Sequence, residues 1–296
     1  MSNSHRHSTG VPGLDAHLGG GLIAGTLTVV YGATGIGKTQ LGVQFAAAGN
    51  RQERSPGIFY DMTSRGDSQH HAEYARQIAD WELACADAET PPAPVDTLKS
   101  PESWGDYLRI FTRAGRRVTR RDVEFDDWHE WRAELVRKLD VTIGFFYGGF
   151  LRGVRRAVVD GIEPTDGAAK SIQLEMFEYI YHQVLRKEAD WVARDLLRQH
   201  YRQHAEEAAR RHYDPAEISC LLLCTSHESM LDELIARPLE QGDLLSGANT
   251  VIYLGKTRNG GRFGRGLYVA KHRGSACTEQ IIRYEITGEG LRVAEA

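Results

Sequence analysis

The chain has 296 residues, of which 41% are hydrophobic and 26% charged, with a formal charge of −4. That composition belongs to a folded globular protein and excludes a wholly disordered or fibrous chain. It also argues against a protein whose main task is coating nucleic acid.

The N-terminus, MSNSHRHSTG, is polar and lacks the apolar stretch of a secretory signal. It reads as a flexible tail over about residues 1–8, with His5 and His7 solvated. No segment approaches the ~20 apolar residues that span a bilayer. A cytoplasmic protein with no membrane contact is expected. Cys85, Cys220, Cys224 and Cys277 contain no Cys-x-x-Cys pair. Cys220 and Cys224 fall four apart on one apolar run, too distant to bridge along a strand. Reduced thiols are expected.

Residues 26–31 (TLTVVY) form a β-branched strand candidate, followed by GATGIGKT and then a helical pattern ending near Gly49. GIFYDM (57–62) predicts a second strand, and a helix follows over about 68–84. The proline-rich stretch 86–103 reads as an exposed connector. From Trp104 to Phe150 the apolar spacing predicts helices, first through Trp104, Tyr107, Leu108 and Phe111, then through Trp128, Trp131, Leu135 and Leu139. RRAVVDG (155–161) is the next strand. Helices over about 169–186 and 188–212 follow, the second stopped at Asp214-Pro215. Strands are then expected near 219–226, 250–254, 266–271 and 280–286.

Strands alternating with helices predict an α/β fold with a mainly parallel twisted sheet. The last two strands, joined without a helix, predict an antiparallel hairpin. One domain over 1–296 is expected, with helical insertions about 86–150 and 165–213.

Gly32, Ala33, Thr34, Gly35, Ile36, Gly37, Lys38 and Thr39 fit G-x-x-x-x-G-K-[ST] without a mismatch. With Gln40 they are the candidate nucleotide-binding set. Glycines let backbone N–H groups turn toward phosphate oxygens, and the following helix points its positive end at the same anion. Lys38 would reach the β- and γ-phosphates, and the Thr39 hydroxyl would bind Mg²⁺. The usual second Mg²⁺ residue is an acid closing an apolar strand. Asp160 in AVVD fits best, and Asp61 in IFYD competes. Gly255-Lys256-Thr257 repeats the motif's ending. Thr250 stands where its first glycine should be and no helix follows, so Lys256 reads as a loop residue.

Thr9-Gly10-Val11-Pro12-Gly13-Leu14-Asp15, Leu18-Gly19-Gly20-Gly21-Leu22, Gly25-Thr26-Leu27-Thr28 and the phosphate loop follow in order. This set resembles the opening of RecA-superfamily ATPases, in the branch of KaiC and RadA. Ala270-Lys271-His272-Arg273-Gly274-Ser275 is similar to the K-x-R-G-[ST] segment of KaiC-like proteins. The resemblance covers about residues 8–80, 154–162 and 217–293.

It implies a RecA-like fold that binds ATP with Mg²⁺ between neighbouring copies of a hexameric ring or a filament. It also implies that Lys271 and Arg273 reach the neighbour's γ-phosphate, where cations stabilise the transition state. KaiC-like proteins place a Glu pair just after the second strand. The matching positions here are Thr63 and Ser64, neither of which accepts a proton at neutral pH. Asp61 or Asp67 is the candidate substitute, and slow hydrolysis is expected. Thr225-Ser226-His227 falls where related ATPases keep a polar γ-phosphate sensor. The competing reading is a helix N-cap formed by Ser226.

Two functions stand: a KaiC-like switch that signals to a protein partner, and a RadA/RecA-like DNA-dependent ATPase. The segments matching the recombinases' DNA loops, GIEPTDGAAK and SHESMLDELIARPLEQGD, lack basic character. Arg109, Arg113, Arg116, Arg117, Arg120 and Arg121 form a basic cluster, but Glu124, Asp126, Asp127 and Glu130 follow and can pair with it. DNA is therefore not the favoured partner.

Overall fold

The structure, a computed structural model, describes residues 5–63, 70–111, 125–163, 171–236 and 247–293. In chain order the strands are β1 (Arg6–His7), β2 (Leu22–Ile23), β3 (Leu27–Gly32), β4 (Ile58–Asp61), β5 (Cys85–Ala86), β6 (Tyr107–Arg109), β7 (Arg156–Ile162), β8 (Ser219–Thr225), β9 (Thr250–Asn259), β10 (Arg262–His272), β11 (Ile282–Thr287) and β12 (Gly290–Val293). The helices are α1 (Leu14–His17), α2 (Lys38–Gln52), α3 (His71–Ala79), α4 (Pro94–Lys99), α5 (Phe125–Leu151), α6 (Ile172–Ile180), α7 (Ala189–Leu197), α8 (Tyr201–Arg210) and α9 (Leu231–Ala236).

Ten strands form one sheet in the order β12-β11-β10-β9-β3-β8-β7-β4-β6-β5. From β9 to β5 every pairing is parallel. From β9 through β12 the pairings are antiparallel. This is the expected α/β architecture.

The core strands are buried on both sides, so their sequences read as continuous apolar runs. Their alternation still sorts the side chains. Val29, Val159 and Leu222 face the cluster that holds α5, α6 and α7. Val30, Val158, Leu221 and Leu223 face the cluster of α1, α2 and α3. The helical segments between Trp104 and His212 thus cover the central strands on one face of the sheet. Removing them would expose Tyr60, Ala157 and Leu222, each fully buried at 0%.

Several expectations are corrected. Residues 107–109 are a strand, paired in parallel with β4, because Leu108 and Ile110 are needed in the core beside Tyr60. The stretch 86–103 is exposed over much of its length but is not only a connector: it contains α4, and Leu98 is fully buried. Trp104 ends a 3-10 turn rather than starting a helix. Its indole N–H donates to Thr97 Oγ1 at 2.8 Å. Its ring lies so close to α5 that a Cβ on Gly144 would come within 2.4 Å of it. The helix expected over 188–212 is broken at Arg198, whose φ is +48°. Lys256 lies within β9, not in a loop, because β9 and β10 run past the end of β3 as an exposed two-stranded ribbon.

The expected flexible tail is also corrected over residues 6–7. β1 pairs antiparallel with β2, and His7 is fully buried. Beneath it lies Arg156, also 0% exposed. The Arg156 guanidinium donates to Glu53 Oε2 at 2.7 Å, to the Ser8 carbonyl at 2.7 Å and to the Phe45 carbonyl at 2.8 Å. His7 Nε2 is 3.7 Å from Glu53 Oε1.

Burial first, and the Arg156 charge second, push the His7 imidazole down to about 3. The unfolded chain protonates this group near pH 6.5, and the folded chain does not until about pH 3. Its contribution to stability is therefore complete above pH ~6.5 and falls by about 1.4 kcal/mol per pH unit below that. Urea unfolding at pH 7 and pH 5 checks this. His7→Phe should flatten the loss. A variant that weakens as steeply as the wild type would overturn the assignment.

Candidate nucleotide site

β3 ends at Gly32, and α2 starts at Lys38 with Gly37 as its N-cap. The loop between them lies at the carboxyl end of the parallel strands, where open α/β sheets bind ligands. Thr34 and Gly35 form its exposed tip, while Gly32, Ile36 and Lys38 are buried. Ala33, Thr39 and Gln40 are half-buried. The first turn of α2 carries no acid. The positive end of this 15-residue helix therefore faces the loop with no acid of its own against it.

Lys38 Nζ folds back onto the loop, donating to the Gly32 carbonyl at 2.7 Å and the Ala33 carbonyl at 2.9 Å. Gly32 O also accepts the Ser226 N–H at 3.0 Å. Burial pushes the Lys38 ammonium down to about 8, against the opposing pull of Asp160. Two contacts from the far end of the chain hold the loop. Tyr284 donates to the Ile36 carbonyl at 2.8 Å. Gln44 on α2 exchanges two hydrogen bonds with Leu291 on β12, both 2.8 Å.

Asp160 stands at a bulge in β7, where the register with β8 shifts between Val159 and Ile162. The next residue, Gly161, has φ +95°, a conformation that L side chains resist. The bulge turns the carboxylate toward α2, where Thr39 Oγ1 donates to Asp160 Oδ2 at 2.8 Å. Asp160 Oδ1 accepts the Gly161 N–H at 2.7 Å. Of the two acids considered, Asp160 is thus the one beside Thr39.

Asp61 is paired with Asp160 across β4 and β7 but is fully buried. Its carboxylate accepts the Thr63 N–H at 2.8 Å and the Tyr107 hydroxyl at 2.5 Å. It lies on the same face of the sheet as Asp160, with Oδ2 4.0 Å from the His71 ring. Ser64 and Asp67 lie outside the described residues, as do five of the clustered arginines, Arg113 through Arg121. The sixth, Arg109, ends β6 and partners Asp61 in register.

His71, which the sequence pattern did not single out, opens α3 and joins the two acids. Its Nε2 is 3.0 Å from Asp160 Oδ2, and its Nδ1 is 4.0 Å from Asp61 Oδ2. Burial alone would depress the imidazole, but the hydrogen bond and charge of Asp160, with Asp61 behind, raise it above its ordinary value. Burial would likewise raise the Asp160 carboxyl, and His71, Thr39 and Lys38 hold it below the usual range.

Lys271 and Arg273 are far from this loop. Lys271 pairs with Val251, which pairs with Val29 on β3. That is three residues short of Gly32, about 10 Å toward the amino ends of the parallel strands. The Arg273 N–H donates to the Asn249 carbonyl at 2.9 Å, further still along that direction. Ser226 does not cap a helix. It bonds Glu228 in a turn, five residues before α9 begins at Leu231.

A parallel sheet with a complete phosphate loop and a strand-end acid hydrogen-bonded to the loop's threonine defines a P-loop ATPase fold of the RecA type. Known proteins narrow this. Residues 7–91 match the ATPase family described as KaiC. The UPF0273 protein MK0039 of Methanopyrus kandleri is 26% identical over 290 residues, covering 97% of this chain and 91% of its own length. The circadian clock oscillator protein KaiC of Prochlorococcus marinus is 32% identical over 115 residues, 38% of this chain and 22% of that protein. The crystal structure of the KaiC-like protein PH0186 from Pyrococcus horikoshii superposes with a TM-score of 0.53 at 16% identity, covering 99% of this chain and all of the other. The chain is thus similar to KaiC-like proteins, by family model over residues 7–91 and by fold over nearly its whole length. Among the described residues no helix is long and apolar enough to cross a membrane.

Proposed function

We propose that the protein binds ATP with Mg²⁺ and hydrolyses it slowly at the interface between copies of itself, as a nucleotide-dependent switch acting on a protein partner. The observation that carries this reading is the joined set of Lys38, Thr39 and Asp160 at the mouth of the phosphate loop. The donor set fits the metal: a hydroxyl and a carboxylate are hard oxygen ligands suited to Mg²⁺, with phosphate oxygens supplying the rest. Thr39 would hold the ion directly and Asp160 through water. The bound ion would neutralise charge on the β- and γ-phosphates. Lys38 would exchange its two carbonyl partners for phosphate oxygens, and the backbone N–H groups of the loop would orient the chain of phosphates.

Slow turnover follows from the second strand. Thr63 stands where a water-aligning Glu is expected, and Asp61 is committed to Thr63 and Tyr107 inside the protein. Interface chemistry is supported by Lys271 and Arg273, which lie toward the amino ends of the parallel strands, away from their own phosphate loop. A head-to-tail neighbour in a ring or filament would receive them.

Light scattering with and without ATP and Mg²⁺, with DNA in a parallel sample, tests the reading. Assembly with ATP alone supports the switch. Assembly or hydrolysis that requires DNA favours a recombinase-like ATPase instead. Arg273→Ala should leave ATP affinity within about threefold of wild type but lower turnover by ~10-fold or more, as loss of a trans cation at the γ-phosphate does. Unaltered turnover would remove its role.

A further inference from the structure

Asp160 carries three hydrogen bonds, and one of them has no counterpart in a simple phosphate loop. Gly161 N–H holds Oδ1 at 2.7 Å. Thr39 Oγ1 at 2.8 Å and His71 Nε2 at 3.0 Å share Oδ2. A carboxylate only accepts, so the imidazole presents Nε2–H to it. Thr39 can offer a lone pair to a metal while its O–H stays on Oδ2, and His71 Nε2–H is the second donor that fixes that oxygen.

His71 is itself held on every side. It is 4% exposed. The Phe59 ring lies edge-on at 5.6 Å, and the Tyr107 ring lies at 5.3 Å. Asp61 faces its Nδ1, and Asp61 is anchored by Thr63 N–H and Tyr107 OH. The imidazole therefore cannot turn without breaking a buried cluster drawn from β4, β6, β7 and α3. Such outer partners commonly decide how well a ligand carboxylate is aimed.

We propose that His71, oriented by Asp61 and Tyr107, is a positioning residue that sets the Asp160 carboxylate for Mg²⁺, so that divalent-ion affinity depends on it. This rests on the ATP–Mg²⁺ reading above. Being buried, His71 touches neither nucleotide nor attacking water. It acts through Asp160.

The test is a Mg²⁺ titration of a fluorescent ATP analogue bound to the full chain, with EDTA samples as the metal-free reference. His71→Leu should raise the Mg²⁺ midpoint by ~10-fold or more while leaving the EDTA affinity within about twofold. His71→Gln carries its amide N–H to the place of Nε2 and should keep the midpoint within about threefold of wild type. An unchanged midpoint in His71→Leu overturns the proposal, as does an equal loss of affinity with and without Mg²⁺. If His71→Leu does not fold, His71→Asn, whose amide reaches only the Nδ1 position, replaces it. Equal midpoints for the Asn and Gln variants then overturn the proposal. A wild type that binds the analogue without any effect of Mg²⁺ overturns the functional reading instead.

Discussion

Lys38→Ala lowers ATP affinity by about 100-fold or more while the fold survives. The reason lies in what the ammonium touches. Burial has already stripped much of its water and pushed it down to about 8. It rests on two loop carbonyls at 2.7 and 2.9 Å. A triphosphate offers the same group anionic oxygens, and charge-assisted hydrogen bonds are worth roughly 1.5–3 kcal/mol each. Two of them account for about two decades or more of affinity. The alanine variant also leaves the Gly32 and Ala33 carbonyls facing the phosphates without a cation between. Isothermal titration with ATP and Mg²⁺ reads the affinity, and circular dichroism melting reads the fold. The melt should stay near wild type, because the deletion removes a desolvated charge. Unchanged affinity would refute the assignment of this loop.

Arg156→Met destabilises the protein by about 3–5 kcal/mol, the penalty for breaking a buried ion pair from one side. Glu53, 9% exposed at its side chain, would be left as a buried carboxylate without its cation. The carbonyls of Ser8 and Phe45 would lose their donors together. The guanidinium also lies over the Phe45 ring at 4.9 Å. Methionine fills part of the volume and satisfies none of these oxygens. Urea denaturation at pH 7 measures the loss. Nucleotide affinity of the folded fraction should not change, because Arg156 sits at the start of β7, four residues and ~13 Å from Asp160. A midpoint equal to wild type would show that the cluster is not needed.

These two residues also mark what could be read without coordinates. Lys38 belongs to a local pattern: strand, glycines, Lys-Thr and helix lie within some twenty residues, so spacing alone places the chemistry. Asp160 was legible for the same reason, as an acid closing an apolar run. Arg156 carried no such signal, since its partners Glu53, Ser8 and Phe45 are more than a hundred residues away. His71 was hidden in the same way, 89 residues from Asp160.

The helical reading of 104–111 failed through a competing pattern. Trp104, Leu108 and Phe111 have helical spacing, but Leu108 and Ile110 are both claimed by the core next to β4, which requires a strand. The ribbon beyond Leu254 was missed because its outer residues are polar or basic. Strand pairing there rests on backbone bonds rather than on an apolar face.

The clasp that β11 and β12 place on the phosphate loop bears on the order in which the molecule is made. Tyr284 reaches Ile36 across 248 positions, and Gln44 meets Leu291 across 247. Contacts of such separation form late, because the chain between must be organised first. The loop emerges early in synthesis, yet its floor is finished only after residue 291 has been added. Until then α2 has strand β3 beneath it but lacks the contacts that hold Ile36 and Gln44. The finished loop is thus among the last features the nascent chain acquires, and a phosphate ligand that bound only the closed loop would stabilise that final docking by mass action.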